Sequence, residues 1–205
     1  MLGKRVRWVE RRLVGFPILV MLALLTGNAQ AADTYEIDAV HSSANFKVRH
    51  IFSHVTGSFT EFSGELIYDA EKPEKSSISL TINAASIDTK NERRDGHLRG
   101  EDFFHVEAYP TITFASKEIV RDKDKEVFKV TGDLTIRGVT KSVVVDVEIL
   151  GFGEIAGMGY RGGLSATTKI NRKDFGLKWN KILETGGALI GDEVQIDFPL
   201  EVVRK

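Results

Sequence analysis

Apolar and polar residues alternate at every second position along most of this chain, and this alternation most constrains how the chain can fold. Val145, Val147 and Ile149, for example, alternate with Asp146 and Glu148. A period of two places successive side chains on opposite faces of a β-strand, whereas an amphipathic helix has a period of about 3.6. The pattern therefore predicts an all-β protein of about eight strands.

Short connections between these segments predict antiparallel neighbours. We predict strands over Ser43–Ile51 and Gly57–Asp69, the second bent at Gly64, and a tight turn at Arg137-Gly138. Closure into a barrel would remove the exposed sheet edges, and an eight-stranded barrel has just enough room for one small ligand. A two-sheet sandwich fits the same alternation, so periodicity leaves both architectures open.

The alternation stops in one stretch, residues 87–110, where ten of 24 residues are Asp, Glu, Lys or Arg. We predict a short helical segment near residues 90–105, with a helix over Asn91–Leu98. Asp88 or Thr89 would cap its start and Gly100 would end it. This segment would close one end of the sheet.

Two interpretations of the charged stretch are possible. Asp95, His97 and His105 could form a metal site or an acid–base pair. The favoured alternative is a solvated, salt-bridged corner in which Arg94, Asp95 and Arg99 neutralise one another. We therefore predict no catalytic residue, no metal ligand and no cofactor.

His50 lies on the apolar face of the predicted strand Ser43–Ile51. It could be a core histidine bonded to the backbone, or a polar contact inside a cavity. His54 follows four residues later, but this spacing gives a shared face only on a helix, so a metal-binding pair is not expected.

The first 31 residues have the pattern of a cleavable export signal. Basic residues precede an apolar run at Leu13–Leu25, and Ala29-Gln30-Ala31 fits a cleavage site. The run is shorter than the roughly 17–25 residues of a membrane span. We therefore expect one mature domain, residues 32–205, in the periplasm; an uncleaved tether is the alternative.

Charge and cysteine content exclude several classes of function. Removing residues 1–31 removes five of 28 basic and one of 29 acidic residues, which leaves 23 and 28 and a net charge of −5. This balance argues against nucleic acid and anionic membrane surfaces as partners. The chain has no cysteine, which excludes thiol catalysis and thiolate metal sites.

Several segments in this order resemble the YceI-like family of exported bacterial proteins. The first are His41-Ser42, Phe46-x-Val48-x-His50, Gly57-x-Phe59, Phe62-x-Gly64 and Ile87-Asp88-Thr89. Those that follow are Arg94-Asp95-x-His97-Leu98-Arg99, Phe103, Tyr109-Pro110-x-Ile112-x-Phe114, Thr131–Thr135 with Gly138-Val139-Thr140, and Asn171-Arg172-x-Asp174-Phe175-Gly176. Ser142 is a departure, since the family usually has proline there.

The resemblance implies a lipocalin-like eight-stranded antiparallel β-barrel. Its apolar tunnel would hold a polyisoprenoid or similar long-chain lipid, without a catalytic step. The resemblance also implies that the Arg94–Arg99 motif is an architectural signature.

From the apolar strand faces we predict nine ligand-lining residues, each of which could instead be ordinary core. They are Phe46, Val48, His50, Phe62, Leu80, Ile82, Phe114, Phe128 and Val145. Two other functions stay open: a stress-related exported protein without a dedicated ligand, and a lipid-modifying enzyme. The nucleophile elbow and the zinc motif are absent, and the Gly-rich stretch Gly151–Gly163 lacks the strand–loop–helix context of a phosphate-binding loop, which disfavours the enzyme. A homodimer is possible if a strand edge is exposed.

Overall fold

A computed structural model describes residues 32–123, 127–182 and 188–205, so the predicted export signal lies outside the described residues. The described strands are β1 (Asp33–Ile37), β2 (Ala44–His50), β3 (Ser53–Phe59), β4 (Phe62–Tyr68), β5 (Ser77–Asn83), β6 (Ile87–Asp88), β7 (Thr111–Arg121), β8 (Val127–Ile136), β9 (Val139–Ile155), β10 (Gly159–Asn171) and β11 (Ile190–Arg204). The helix α1 spans Glu92–Arg99, and short 3-10 helices span Pro73–Lys75, Ala84–Ser86 and Arg172–Phe175. Among the described residues, no helix has the length and apolarity needed to cross a membrane.

Eight strands form a closed antiparallel barrel, which confirms the predicted fold. They follow the order β1-β4-β5-β7-β8-β9-β10-β11, and β1 also pairs with β11. The closing strand is short: Tyr35 pairs with Leu66 on β4 and with Arg204 on β11. Because both sides of β1 are bonded, the ring has no free edge at this point.

The remaining three strands extend the sheet beyond the ring. The first half of β11 pairs with β2 instead of β1, and β3 and β6 follow β2 outward. The predicted single strand Gly57–Asp69 is wrong in this respect, because the chain breaks at Thr60–Glu61. The part before the break pairs with β2, and the part after it pairs with β1 and β5.

The helix α1 lies where the sequence predicted it, but its cap differs. The side chain of Asn91, rather than Asp88 or Thr89, accepts a hydrogen bond from the Arg94 N–H, and Gly100 follows the last turn. The tight turn is also where it was predicted. Arg137 and Gly138 both have positive φ, at 50° and 71°, which is the backbone of a type I′ hairpin turn.

Aromatic side chains fill the end of the barrel near β1. Phe152 stacks on Tyr68 with ring centroids 4.6 Å apart, and meets Tyr35 edge-on at 5.3 Å. Tyr160 lies beside Tyr35, and the Arg204 guanidinium lies 4.4 Å from the Tyr160 ring centre. Burial raises the pKa of Tyr35 to about 12. This end of the barrel is therefore closed by packed, neutral rings.

Glycines on the inner wall make room for the large side chains across from them. A Cβ on Gly132 would lie 2.4 Å from the Phe114 ring and 2.6 Å from the Ala115 carbonyl oxygen. A Cβ on Gly57 would lie 2.5 Å from the Phe46 ring. The rings of Phe114 and Phe46 therefore pack directly on the glycine backbone of the neighbouring strand. Any side chain at Gly132 or Gly57 would occupy the space that these rings fill.

We expect Gly132→Ala to lower the free energy of unfolding by about 2 kcal/mol, because the new methyl group forces Phe114 and the strand backbone apart. Gly153→Ala is the matched control, since nothing lies within 4 Å of a Cβ at that position in β9. Urea denaturation of both variants tests the expectation. Equal stability of the two variants would contradict the close packing of Phe114 against Gly132.

Candidate ligand cavity

The barrel encloses one large cavity with a volume of about 830 Å³. Its wall is made mostly of aliphatic and aromatic side chains from the inner faces of the strands, with Leu98, Phe103 and Phe104 added from α1 and the turns after it. Cavities that bind drug-sized ligands have volumes of roughly 300–1,000 Å³. The barrel interior is therefore not completely filled by its own side chains.

Seven of the nine predicted lining residues face this cavity. They are Phe46, Val48, His50, Leu80, Ile82, Phe114 and Val145. They come from β2, β5, β7 and β9, so the cavity extends across the barrel interior rather than along one strand. Whether they contact a ligand stays a prediction.

The other two predicted residues, Phe62 and Phe128, do not line the cavity. Phe62 packs edge-on against Phe198 with centroids 5.2 Å apart, and it is Phe198 that faces the cavity. Phe128 pairs with Arg121, whose guanidinium lies 5.9 Å from the ring centre. Alternation assigns both residues to the inner face, but it does not tell which part of that face is covered by a neighbour.

The cavity reaches solvent beside α1. Among the described residues that line it, only Asn91, Arg93 and His97 are exposed. The other lining residues are buried or half-buried. The helix predicted to close the end of the barrel therefore forms the rim of an opening, and we call Asn91, Arg93 and His97 the mouth.

A buried hydrogen-bond network centred on Thr89 holds α1 in place. Asp95 is 6% exposed and accepts hydrogen bonds from the N–H of Thr89, at 2.9 Å, and from its hydroxyl. Arg94 donates from Nε to the Thr89 hydroxyl oxygen and from Nη2 to its carbonyl oxygen, at 2.7 and 2.8 Å. The predicted solvated corner is wrong here, because Asp95 is buried and these groups bind Thr89 rather than one another.

Two further arginines bind backbone carbonyls around the cavity. Arg99 donates to the carbonyl oxygens of Ala85 and Ile87, at 2.7 and 2.9 Å. Arg172 is 4% exposed and donates from Nε to Gly191, at 2.8 Å, and from Nη1 to Leu177 and Trp179, at 2.5 and 2.9 Å. Burial lowers the pKa of Arg172 from its ordinary value. Both arginines hold irregular segments against the barrel.

The histidines do not form a catalytic or metal-binding group with one another. His54 pairs with Arg49 across the β2–β3 hairpin, so it faces outward, whereas His50 faces the cavity. His97 bonds Asp102 through Nε2 at 2.9 Å and meets the Trp179 ring edge-on at 5.0 Å. His105 lies against Tyr109.

A second group of potential metal ligands is a carboxylate and histidine cluster whose residues do not line the cavity. Ligand atoms of Asp38, His41 and Glu201 lie within 4.8 Å of one another. However, Arg161 donates from Nη1 to both Asp38 and Glu201. The Arg161 hydrogen bond, followed by the one with His41, holds the pKa of Asp38 well below its usual range. The guanidinium of Arg161 therefore already neutralises the carboxylates to which a metal ion would have to bind.

Sequence reasoning missed Arg93 and Trp179 as cavity residues. Arg93 lies in a polar run without alternation, and Trp179 lies in a connection between strands. No periodic signal marks such residues. The interruption of the alternation at residues 87–110 was the one available clue to the position of the mouth.

An eight-stranded antiparallel barrel with an apolar interior cavity and a short α-helix at its opening defines a lipocalin-like class of protein. Residues 35–202 match the YceI-like domain family. The chain belongs to this family. It is 39% identical over 190 residues to a UPF0312 protein of Shewanella sp. strain W3-18-1, covering 91% of this chain and 96% of the relative.

Solved structures share the fold. BcnA of Burkholderia cenocepacia matches with a TM-score of 0.71 and 27% identity, covering 80% of this chain and 98% of BcnA. A polyisoprenoid binding domain from Saccharophagus degradans matches with a TM-score of 0.61 and 19% identity, covering 86% of this chain and all of the domain. At 19% identity, the match to the Saccharophagus degradans domain shows a shared fold and nothing further.

We expect Asp95→Ala to lower the free energy of unfolding by about 2 kcal/mol, because it leaves the buried Thr89 N–H and hydroxyl without their acceptor. Asp102→Ala is the matched control: Asp102 is exposed, bonds only His97, and should change stability by less than about 0.5 kcal/mol. Urea denaturation measures both variants. Equal losses would mean that the Thr89 network does not hold α1.

Proposed function

We propose that this protein is an exported, periplasmic carrier that binds a polyisoprenoid or another long-chain amphiphilic lipid inside its barrel, without catalysing a reaction on it. The observation that carries the proposal is the apolar cavity of about 830 Å³, which opens at one rim. A solid core would use the same alternating strands but would leave no such volume.

The energetics favour a linear apolar ligand. Burial of each methylene group contributes about 0.8 kcal/mol, so a long chain gains several kcal/mol even after the cost of ordering it. Phe46, Phe114 and Val145 offer broad apolar contact and no directional polar groups along the wall. Such a wall discriminates poorly between chains of similar width, which suits a carrier of a lipid class.

The comparisons support the same class of ligand. A polyisoprenoid binding domain shares this fold. The predicted signal pattern in residues 1–31 supports export to the periplasm. Cell fractionation with antibody detection would test the location, and recovery of the protein in the cytoplasm at full length would contradict it.

The enzyme alternative has little to support it. The described residues that line the cavity include His50 and His97, but His97 is bonded to the exposed Asp102 at the rim and His50 has no carboxylate partner. A general base must lie within hydrogen-bond reach of the proton that it removes, and His97 with Asp102 lies at the rim rather than in the apolar interior proposed for the chain. The cavity geometry therefore favours binding over chemistry.

Filling part of the cavity should weaken lipid binding. We expect Val145→Trp to weaken the affinity for a polyprenyl alcohol at least about tenfold, since the indole occupies space the chain needs, a loss of about 1.4 kcal/mol. Val144→Trp is the matched control, because Val144 precedes it on the same strand but is 50% exposed. Isothermal titration calorimetry measures both variants, and urea denaturation verifies that each is folded.

The outcomes are distinct. Weak binding by Val145→Trp together with unchanged binding by Val144→Trp would support the cavity as the ligand site. Equal affinity of both variants would place any bound lipid outside the barrel. Native mass spectrometry of protein purified from cells would then show whether a lipid is carried at all.

A further inference from the structure

The charges that line the cavity are all of one sign. The charged lining residues in the described part of the chain are Arg93, Arg94 and Arg172, and no Asp or Glu lines the cavity there. The predicted mature chain, by contrast, has five more acidic than basic residues. The cavity is therefore basic in a protein that is acidic overall, and an oxyanion would meet attraction at this site.

Of these three arginines, Arg93 is the one free to bind a ligand. The guanidinium of Arg172 is buried, donates from Nε and Nη1 to three backbone carbonyls, and forms an ion pair through Nη2 with Asp192 at 3.6 Å. Arg94 uses Nε and Nη2 on Thr89. Arg93 is exposed at the mouth, and its side chain forms no hydrogen bond or ion pair within the described residues. Its five N–H donors are unsatisfied by the protein.

The carboxylates near the mouth are engaged elsewhere. Asp95 is bonded to Thr89, Asp88 to Lys90 and Asp102 to His97. Glu92 precedes Arg93 on α1 but does not line the cavity. No acidic side chain of the described residues therefore neutralises the Arg93 guanidinium at the point where the cavity meets solvent.

The geometry points to an amphiphile with an oxyanion head, a phosphate or a carboxylate, whose apolar chain occupies the cavity while Arg93 binds the head at the mouth. We propose this as the ligand class, and it rests on the proposed carrier function. An ionised head inside the apolar wall would be strongly unfavourable, so it stays at the rim. A planar guanidinium can bind such a head with two parallel hydrogen bonds.

Pairs of ligands that share an apolar chain but differ in the head group distinguish the contribution of the head from that of the chain. Farnesyl phosphate and farnesol share one isoprenoid chain, and palmitate and hexadecanol share one saturated chain. We expect the protein to bind the ionised member of each pair about tenfold more tightly than the alcohol, and added salt to reduce the difference. A preference within the first pair alone would identify a phosphate head, and one within the second pair alone a carboxylate.

Arg93→Ala should remove this preference by weakening the binding of the ionised lipid more than that of the alcohol in each pair, while Arg93→Lys should keep part of it. Arg121→Ala is the matched control, because Arg121 is an exposed arginine at the far end of β7 that does not line the cavity. Calorimetry below the aggregation concentration of each lipid gives the affinities. The fluorescence of Trp179, which lines the cavity, reports entry of the chain.

Each outcome decides between the two proposals. If farnesol and farnesyl phosphate bind equally, or if Arg93→Ala keeps the preference, the assignment of the oxyanion to Arg93 is overturned and the carrier function stands. If none of the four lipids binds, the carrier function fails as well. If Arg121→Ala loses the preference as Arg93→Ala does, the effect is one of overall charge, and the site is overturned.

Discussion

The five residues of β1 are the constraint on which the rest of the structure depends. This strand bonds β4 on one side and the end of β11 on the other, and so joins the first and last parts of the sheet. Tyr35, which points inward from β1, is 2% exposed and packs against Phe152. One short strand thereby closes the ring and contributes to the packing of one end. Because closure makes the inner face continuous, side chains distant in sequence share one interior.

At the other end the barrel is closed by a different kind of interaction. There β11 pairs with β2, and the segment that contains α1 contributes to the cavity lining. Polar bonds hold this segment: Asp95 and Arg94 converge on Thr89, and Arg99 binds the carbonyl oxygens of Ala85 and Ile87. Packed rings exclude solvent at the first end, whereas a hydrogen-bonded helix leaves an opening at the second. The cavity consequently has a closed floor and a polar rim.

Much of the fold follows from local pattern, and the errors have a common cause. Alternation predicted the strands, Gly100 the end of α1, and Arg137-Gly138 the hairpin turn, because each is determined by residues close in sequence. The break at Thr60–Glu61 was missed because the residues on both sides keep the strand pattern, and only their different partners separate them. Phe62 and Phe128 were misplaced relative to the cavity for a similar reason. The sequence pattern indicates that both side chains are on the inner face of their strands, but it does not indicate that Phe198 and Arg121 pack against them.

The sequence by itself determined an all-β chain, its alternating faces and the family resemblance, since these depend on period and on motif order. Only the tertiary structure decided that the interior is hollow, because the volume left inside a barrel depends on how all inner side chains pack together. It also decided which arginines are structural and which is free. Arg94, Arg99 and Arg172 find carbonyl or hydroxyl acceptors, some of them distant in sequence, whereas Arg93, beside Arg94 in the chain, finds none within the described residues. Arg93 and Arg94 are thus adjacent in sequence but differ in role, because folding places hydrogen-bond acceptors beside Arg94 and none beside Arg93 within the described residues.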